Sequence, residues 1–175
     1  MVIALSGAAL AQVAPSSRFF LTIQGISGES TADGHTGDID VFSVKLGVNQ
    51  RGITDFGGGA GVGKSTFLPI VVFKNVDTSS PALFLACASG KHIPQAKLTA
   101  IKAGANQPYL TITLTDVLVS SLNNESADTD GVTTVLESLS LNFSKIEFSY
   151  RPPGAQGGLG QAVTSGFDLK ANKKL

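Results

Sequence analysis

A glycine-rich segment holds the most conspicuous candidate for chemistry. Residues 58–65 read GGAGVGKS and match the phosphate-binding loop pattern. The pattern positions are Gly58, Gly63, Lys64 and Ser65. A true phosphate loop follows a buried strand and opens a helix whose N-terminus faces the phosphates. Here Pro69 and a run of β-branched residues follow instead of a helix. We therefore interpret the segment as a loop between strands, and a phosphate-binding ATPase is the least favoured function.

A second segment imitates a calcium-binding loop. Ser126, Asp128 and Asp130 alternate, and Glu137 stands at the twelfth position. The first ligand is serine rather than aspartate, and Glu137 is expected to begin a strand rather than a helix. A connection rich in Asp, Asn and Gly between two strands explains these residues more simply. We predict no metal site here.

Histidine chemistry has equally weak support. His35 lies near Asp33, Asp38 and Asp40, but His92 is the only other histidine and has no ligand spacing to it. A solvated polar loop that enters a strand would carry the same residues. The sequence therefore predicts no catalytic residue, no metal and no cofactor, and it indicates a protein that is not an enzyme.

The composition limits the kinds of molecule that the protein is expected to bind. The chain has 175 residues, which fits one domain with a core, and its 13 basic and 13 acidic side chains give a net charge of zero. A surface with few charges and no net charge favours self-association, and it argues against nucleic acid as a partner. Cys87 is the one cysteine, so an internal disulfide is excluded, and its apolar surroundings indicate a buried, inert thiol. No apolar stretch reaches the roughly 20 residues that span a membrane.

Periodicity of two dominates the middle of the chain. Apolar residues alternate with polar ones in segments 19–23 and 110–114, and the runs 39–48 and 139–150 change phase part-way. A change of phase is typical of a β-bulge, which bends a strand. One helix is predicted over 80–90, with Ser80 as its N-cap and Gly90 at its end. The pattern predicts a mainly β fold, a small antiparallel β-barrel with one short flanking α-helix.

The two ends of the chain are interpreted separately. Residues 1–17 are small and apolar, and Ala9, Leu10 and Ala11 match a signal-peptidase site that would cut before Gln12. The alternatives are a frayed apolar arm or a strand that docks on a neighbouring subunit. The domain is expected over residues 18–175, with a glycine- and proline-rich loop at 152–160 and a last strand at 163–169.

The order of segments resembles a known family. Five segments are similar to those of the haemolysin-coregulated protein (Hcp) family. They are the opening strands over 20–50, the glycine-rich stretch 58–64, the helix with its exit Ser-Gly-Lys-His at 77–92, and the strands over 109–120 and 137–150. These proteins are tube subunits of type VI secretion systems. The resemblance implies a compact β-barrel with one helix that closes into six-membered rings, which stack into a hollow tube able to shelter effector cargo.

The resemblance also implies which residues touch the next ring. The extended loop over 48–63 would make that contact. Its candidate interface residues are Val48, Asn49, Gln50, Arg51, Asp55 and Phe56. The protein is expected to be cytoplasmic before type VI export and then extracellular, and a genuine signal would make it an exported filament. The alternative is a secreted monomeric binding module for carbohydrate or a surface partner, although the absence of Trp counts against sugar stacking.

Overall fold

The chain folds around one curled antiparallel sheet. The computed structural model describes residues 17–50, 65–129, 132–154 and 158–175. Its strands are β1 (Ser17–Ile23), β2 (Ile39–Val41), β3 (Ser43–Lys45), β4 (Val48–Asn49), β5 (Thr66–Phe67), β6 (Ile70–Asn75), β7 (His92–Lys102), β8 (Pro108–Thr129), β9 (Val132–Asn142), β10 (Lys145–Tyr150), β11 (Val163–Asp168) and β12 (Lys173–Lys174). The helix α1 spans Ser80–Ser89. The predicted fold class, mainly β with antiparallel strands and one short helix, is confirmed.

The long strand β8 organises the sheet. One path of hydrogen-bonded neighbours leads from β8 through β7 and β1 to β2, and a second leads through β9 and β6 to β3. A third path leads from β8 through β10 and β11 to β12. Strands β9 and β10 pair one after the other with the same edge of β8, opposite β7. The first two paths meet at Phe42, which separates β2 from β3 and whose N–H donates to the carbonyl of Phe73. The ladder is interrupted there, so the sheet wraps around the core without forming a continuously hydrogen-bonded barrel.

The two predicted changes of phase fall on real strand breaks. The first is the interruption at Phe42 between β2 and β3. The second is the gap between β9 and β10, where the N–H of Ser144 donates to the carbonyl of Thr115. The facing strand β8 bends at the same level, because Asp116 adopts a left-handed conformation with φ of 54°. The paired strands therefore turn together, as bulged strands do.

The core lies between the inner face of the curled sheet and α1. Leu21, Ile39, Val72, Leu114 and Leu139 are among the buried apolar side chains that the strands contribute. The helix adds Leu83 and Ala86. Each large buried side chain contributes about 1.5–3 kcal/mol of transfer free energy. The alternation of apolar residues that predicted the strands is thus the alternation that fills the core.

The predicted helix is present, but its start is one residue earlier than expected. The N-cap is Ser79 rather than Ser80, and the Ser79 side chain makes no capping hydrogen bond. Gly90 ends the helix with φ of 62°, and the N–H of Lys91 donates to the carbonyl of Ala86. Ser80 is the first helical residue, and its hydroxyl bonds to other buried groups, as described below.

The glycine- and proline-rich stretch after β10 folds back on itself in its described part. The N–H of Gly160 donates to the carbonyl of Pro152, and the N–H of Gly154 donates to the carbonyl of Gly158. Strand β11 then returns along β10, where Tyr150 lies opposite Val163. Within the described residues, no helix is long and apolar enough to cross a membrane.

Candidate assembly surfaces

The two ends of segment 51–64 are joined at its base. Val48 lies opposite Phe67, and Asn49 lies opposite Thr66, in the short ladder between β4 and β5. The Ser65 hydroxyl donates to Oε1 of Gln50 over 2.6 Å. The chain therefore leaves the sheet at residue 50 and returns to it at residue 65, directly beside its point of departure.

The structure describes part of the predicted interface. Val48 and Asn49 are exposed, and 57% of the Val48 surface is accessible. Gln50 is exposed as well, and its amide accepts the Ser65 hydrogen bond. The other predicted interface residues lie outside the described residues. These are Arg51, Asp55 and Phe56.

The context of the phosphate-loop string differs from that of a nucleotide site. Gly58, Gly63 and Lys64 lie outside the described residues. Ser65 is described, and the residues after it form β5 and then β6. A phosphate loop needs a helix N-terminus at this point. The described chain continues as strand after Ser65, so the residues that follow it supply no helix N-terminus.

An apolar groove lies beside the base of this loop. It has a volume of about 250 Å³. Its lining residues are Leu46, Val48, Phe67, Ile146, Phe148, Ser165, Gly166 and Phe167. The rings of Phe67 and Phe167 stack with centroids 5.5 Å apart, which fixes one wall of the groove. We call this feature the loop-base groove.

A buried ionic network fastens α1 to the sheet. Nζ of Lys74 lies 2.6 Å from Oε2 of Glu137 and 2.8 Å from Oδ1 of Asp77. The Ser80 hydroxyl donates to Oε2 of Glu137 over 2.7 Å. The Lys74 and Glu137 side chains are 0% and 1% accessible, and no buried side-chain polar atom in the described residues lacks a partner. A buried charge pair of this kind is tolerated only when it is fully hydrogen-bonded.

This network was not predicted from the sequence. Lys74 lies on β6 and Glu137 on β9, opposite each other in the ladder but far apart along the chain. Glu137 belonged instead to the calcium-loop pattern. Its carboxylate is occupied by Lys74 and Ser80, and β8 and β9 run as a paired hairpin on either side of residues 130–131. The strand interpretation of Glu137 is confirmed, and its carboxylate is unavailable to a metal.

The helix that this network holds in place exposes apolar side chains. Helix α1 carries no charged residue, and Phe84 and Leu85 are each 66% accessible. The opposite side of the helix buries Leu83 and Ala86. Cys87 is only partly buried and packs against the core, which is less burial than the sequence predicted.

His35 is not solvated, contrary to the prediction. Nδ1 of His35 lies 2.7 Å from Oδ2 of Asp38, and both side chains are largely buried. The imidazole stacks on Phe20 with centroids 4.1 Å apart. Asp33 and Asp40 are exposed, and Asp40 lies 3.7 Å from the Arg18 guanidinium. The pair closes the turn before β2, and no cluster of three or more metal-binding side chains occurs in the described residues.

A second histidine pair lies on the surface where β8 bends. Asp116 accepts hydrogen bonds from Lys170 and from Nδ1 of His92. The Lys170 hydrogen bond, followed by that of His92, lowers the pKa of Asp116 to about 2. Close by, the backbone N–H of Ala171 lowers the pKa of Asp168. These carboxylates tie the end of the chain to the bend in β8 and stay ionised in ordinary buffers.

The comparisons with known proteins agree with one another. The family model described as "Type VI secretion system effector, Hcp" matches residues 20–150. Over 156 residues the chain is 39% identical to Protein hcp1 of Pseudomonas aeruginosa, and the match covers 87% of this chain and 95% of that protein. The sequence is thus matched along nearly the whole length of this relative.

Solved structures give the same result. The crystal structure of Hcp1 from Salmonella typhimurium is 35% identical, with a TM-score of 0.74, and the match covers 91% of this chain and 99% of that one. A structure described as a type six secretion system protein has a TM-score of 0.84 at 25% identity, covering 91% of this chain and 100% of that one.

Proposed function

The chain belongs to the Hcp family of type VI secretion proteins, and from that premise we propose that it is a structural subunit whose copies close into homo-hexameric rings stacked as a hollow tube. The observation that carries the proposal is the match over residues 20–150, together with coverage of nearly the full length of the relatives. The ring number of six comes from the family. Its main partner is therefore another copy of itself.

The surface supports self-assembly. The net charge of zero provides little long-range repulsion between copies. Val48 and the loop-base groove place apolar surface at the base of segment 51–64. We assign the axial contact between rings to the loop over 48–63. Its interface residues would be Val48, Asn49, Gln50, Arg51, Asp55 and Phe56. Repeated axial contacts of this kind build a filament from rings.

The role is structural rather than catalytic. The proposal assigns the chain no reaction and no cofactor, in keeping with a family of secreted tube proteins. His35 and His92 are each held by a single carboxylate partner, Asp38 and Asp116 respectively. These pairs support turns and strand bends. The lumen of the tube would carry effector cargo.

The proposed route leads out of the cell. The subunit is cytoplasmic before type VI export and extracellular afterwards. If the chain is cut between Ala11 and Gln12, it is exported first and assembles outside as a free filament. The two routes differ in the N-terminal residue of the assembled subunit, which mass spectrometry of isolated filaments determines.

The direct test is the mass of the purified full chain in solution. Sedimentation analysis should show a species of six times the 18.0 kDa subunit, in equilibrium with larger stacks as the concentration rises. Only 18.0 kDa monomers at high concentration would overturn the proposal and favour a monomeric binding module.

A further inference from the structure

The inner face of the sheet continues beyond the core onto its edge. Leu114 on β8 lies opposite Ile146 on β10, and both are buried. Two residues further along the same face, Ile112 lies opposite Phe148. Residues directly opposite each other in an antiparallel ladder point to the same side. Phe148 therefore belongs to the apolar face that fills the core.

Accessibility rises along this face toward β11. Phe148 is 40% accessible, Tyr150 is 41% accessible and Val163, which lies opposite Tyr150, is 66% accessible. We call these three residues the edge strip. Large apolar side chains on an inner sheet face are ordinarily covered, so this contiguous exposure indicates that another segment packs there.

The first described residue lies at the end of the edge strip. The hydroxyl of Ser17 is 2.9 Å from the hydroxyl of Tyr109. The ring of Tyr109 in turn packs edge-on against Tyr150, with centroids 6.5 Å apart. The described chain therefore begins, at Ser17, beside the exposed strip.

The residues that precede Ser17 have the right chemistry and length. Residues 1–16 contain no charged side chain, and most of residues 2–14 are apolar. When extended they reach about 53 Å, at roughly 3.3 Å per residue. The strand order β1, β7, β8, β10, β11 places β11 four ladder spacings from β1, which is about 19 Å. The segment is long enough to reach the whole strip.

We propose that residues 2–14 dock on the edge strip of their own chain and cover Phe148, Tyr150 and Val163. Attachment at Ser17 keeps the segment at a high effective concentration next to its own strip, which favours this site over the strip of another copy. Loss of residues 1–11 would leave only residues 12–16, about 17 Å when extended, which is too short to cover the strip. Processing at Ala11 would thus expose it. This docking does not depend on ring formation.

Disulfide trapping in the full chain tests the docking. In a Cys87→Ala background, which removes the only native thiol, Val163→Cys is combined in turn with Leu5→Cys, Leu10→Cys and Val13→Cys. The control partner is Thr164→Cys. Thr164 is also exposed and is the next residue of β11, so its distance from Ser17 is matched, but its side chain points to the opposite face of the sheet. Dilute protein is oxidised, and the products are separated on a non-reducing gel and mapped by mass spectrometry.

The docked segment should form a cross-link to residue 163 within one chain. For at least one of the three positions, this reaction should be about tenfold faster than the reaction with residue 164. Equal rates at residues 163 and 164 would overturn the proposal. Cross-links formed only between chains, detected with subunits of two different masses, would also overturn it, because the segment would then occupy a neighbour. Circular dichroism of each variant checks that the sheet is intact.

Discussion

Lys74 and Glu137 form a fully buried ion pair, with Nζ and Oε2 separated by 2.6 Å. The pair joins β6 to β9, and through Ser80 it holds the first turn of α1. In a family whose members must pack side by side, a fixed helix position matters because the helix carries the exposed Phe84 and Leu85. The buried pair therefore helps to fix the position of these exposed apolar residues on the subunit surface.

Removal of one partner of this pair should be costly. Lys74→Met leaves the Glu137 carboxylate buried without its cation, and we expect a loss of about 3–5 kcal/mol in the free energy of unfolding. Glu137→Leu should cost less, because Lys74 keeps Asp77 as a partner at 2.8 Å. The double variant should lose clearly less than the sum of the two, because it leaves no unpaired charge between them. Urea denaturation followed by circular dichroism measures all three, and strict additivity would contradict the coupling.

Ser80 should matter more than Ser79. The Ser80 hydroxyl bonds to Glu137 and accepts from the backbone N–H of Asp77, whereas the Ser79 side chain makes no capping hydrogen bond to the helix. Ser80→Ala should therefore lower the free energy of unfolding by about 1–3 kcal/mol, because it leaves buried partners unsatisfied. Its matched control, Ser79→Ala, loses only the bond from its hydroxyl to Asp77 and should cost less. The reverse order in urea denaturation would show that the network is assigned to the wrong serine.

Acid should loosen the attachment of the chain's end at Asp116. Hydrogen bonds from Lys170 and His92 lower its pKa from 3.8 to about 2. A lowered pKa in the folded state contributes stability above about pH 4, and this contribution is lost as the pH falls toward 2. Asp116→Asn should therefore flatten the pH dependence of stability in that window. Asn tolerates the left-handed backbone at this position, so the strand bend is kept. NMR titration of the Asp116 carboxyl group gives its pKa directly, and a value near 3.8 would contradict the account.

The base of the loop should control ring stacking without controlling folding. Val48→Asp places a charge on an exposed residue of β4, so the thermal midpoint should change little. Stacks should disappear because the charge is desolvated in the contact between rings. Val76→Asp is the matched control, since Val76 is an exposed valine of similar accessibility outside the loop. Electron micrographs of Val48→Asp that show normal tubes would remove the loop from the axial interface.

The phosphate-loop string should bind no nucleotide. Because β5 and β6 follow Ser65, no helix is available there to receive a phosphate. Isothermal titration of the full chain with ATP and Mg²⁺ should show no saturable heat. Saturable binding that is lost in Lys64→Ala would contradict this and would reopen the ATPase interpretation.

Local sequence patterns predicted the structural features that depend on residues close together in the chain. Alternation gave the strands at 19–23 and 110–114, and changes of phase located the breaks near Phe42 and Ser144. Proline and glycine located α1 to within one residue. These features follow from backbone geometry and from the period of burial, which are both local.

Features that depend on distant residues escaped prediction. The Lys74–Glu137 pair depends on the register of β6 against β9, and the stacking of His35 on Phe20 depends on a turn that folds over β1. Neither pair has a spacing that would reveal it. The loop-base groove likewise combines residues from β4, β5, β10 and β11 with Leu46, which lies between β3 and β4. A charged residue at a position of apolar phase, such as Lys74 after Ile70 and Val72, is a sequence signal that could have indicated a buried pair.

Electron microscopy of the purified full chain tests the central claim most directly. Negatively stained protein should show six-fold rings and, at higher concentration, hollow tubes made of stacked rings. Single particles of subunit size at every concentration would contradict the assignment of this chain as a tube subunit.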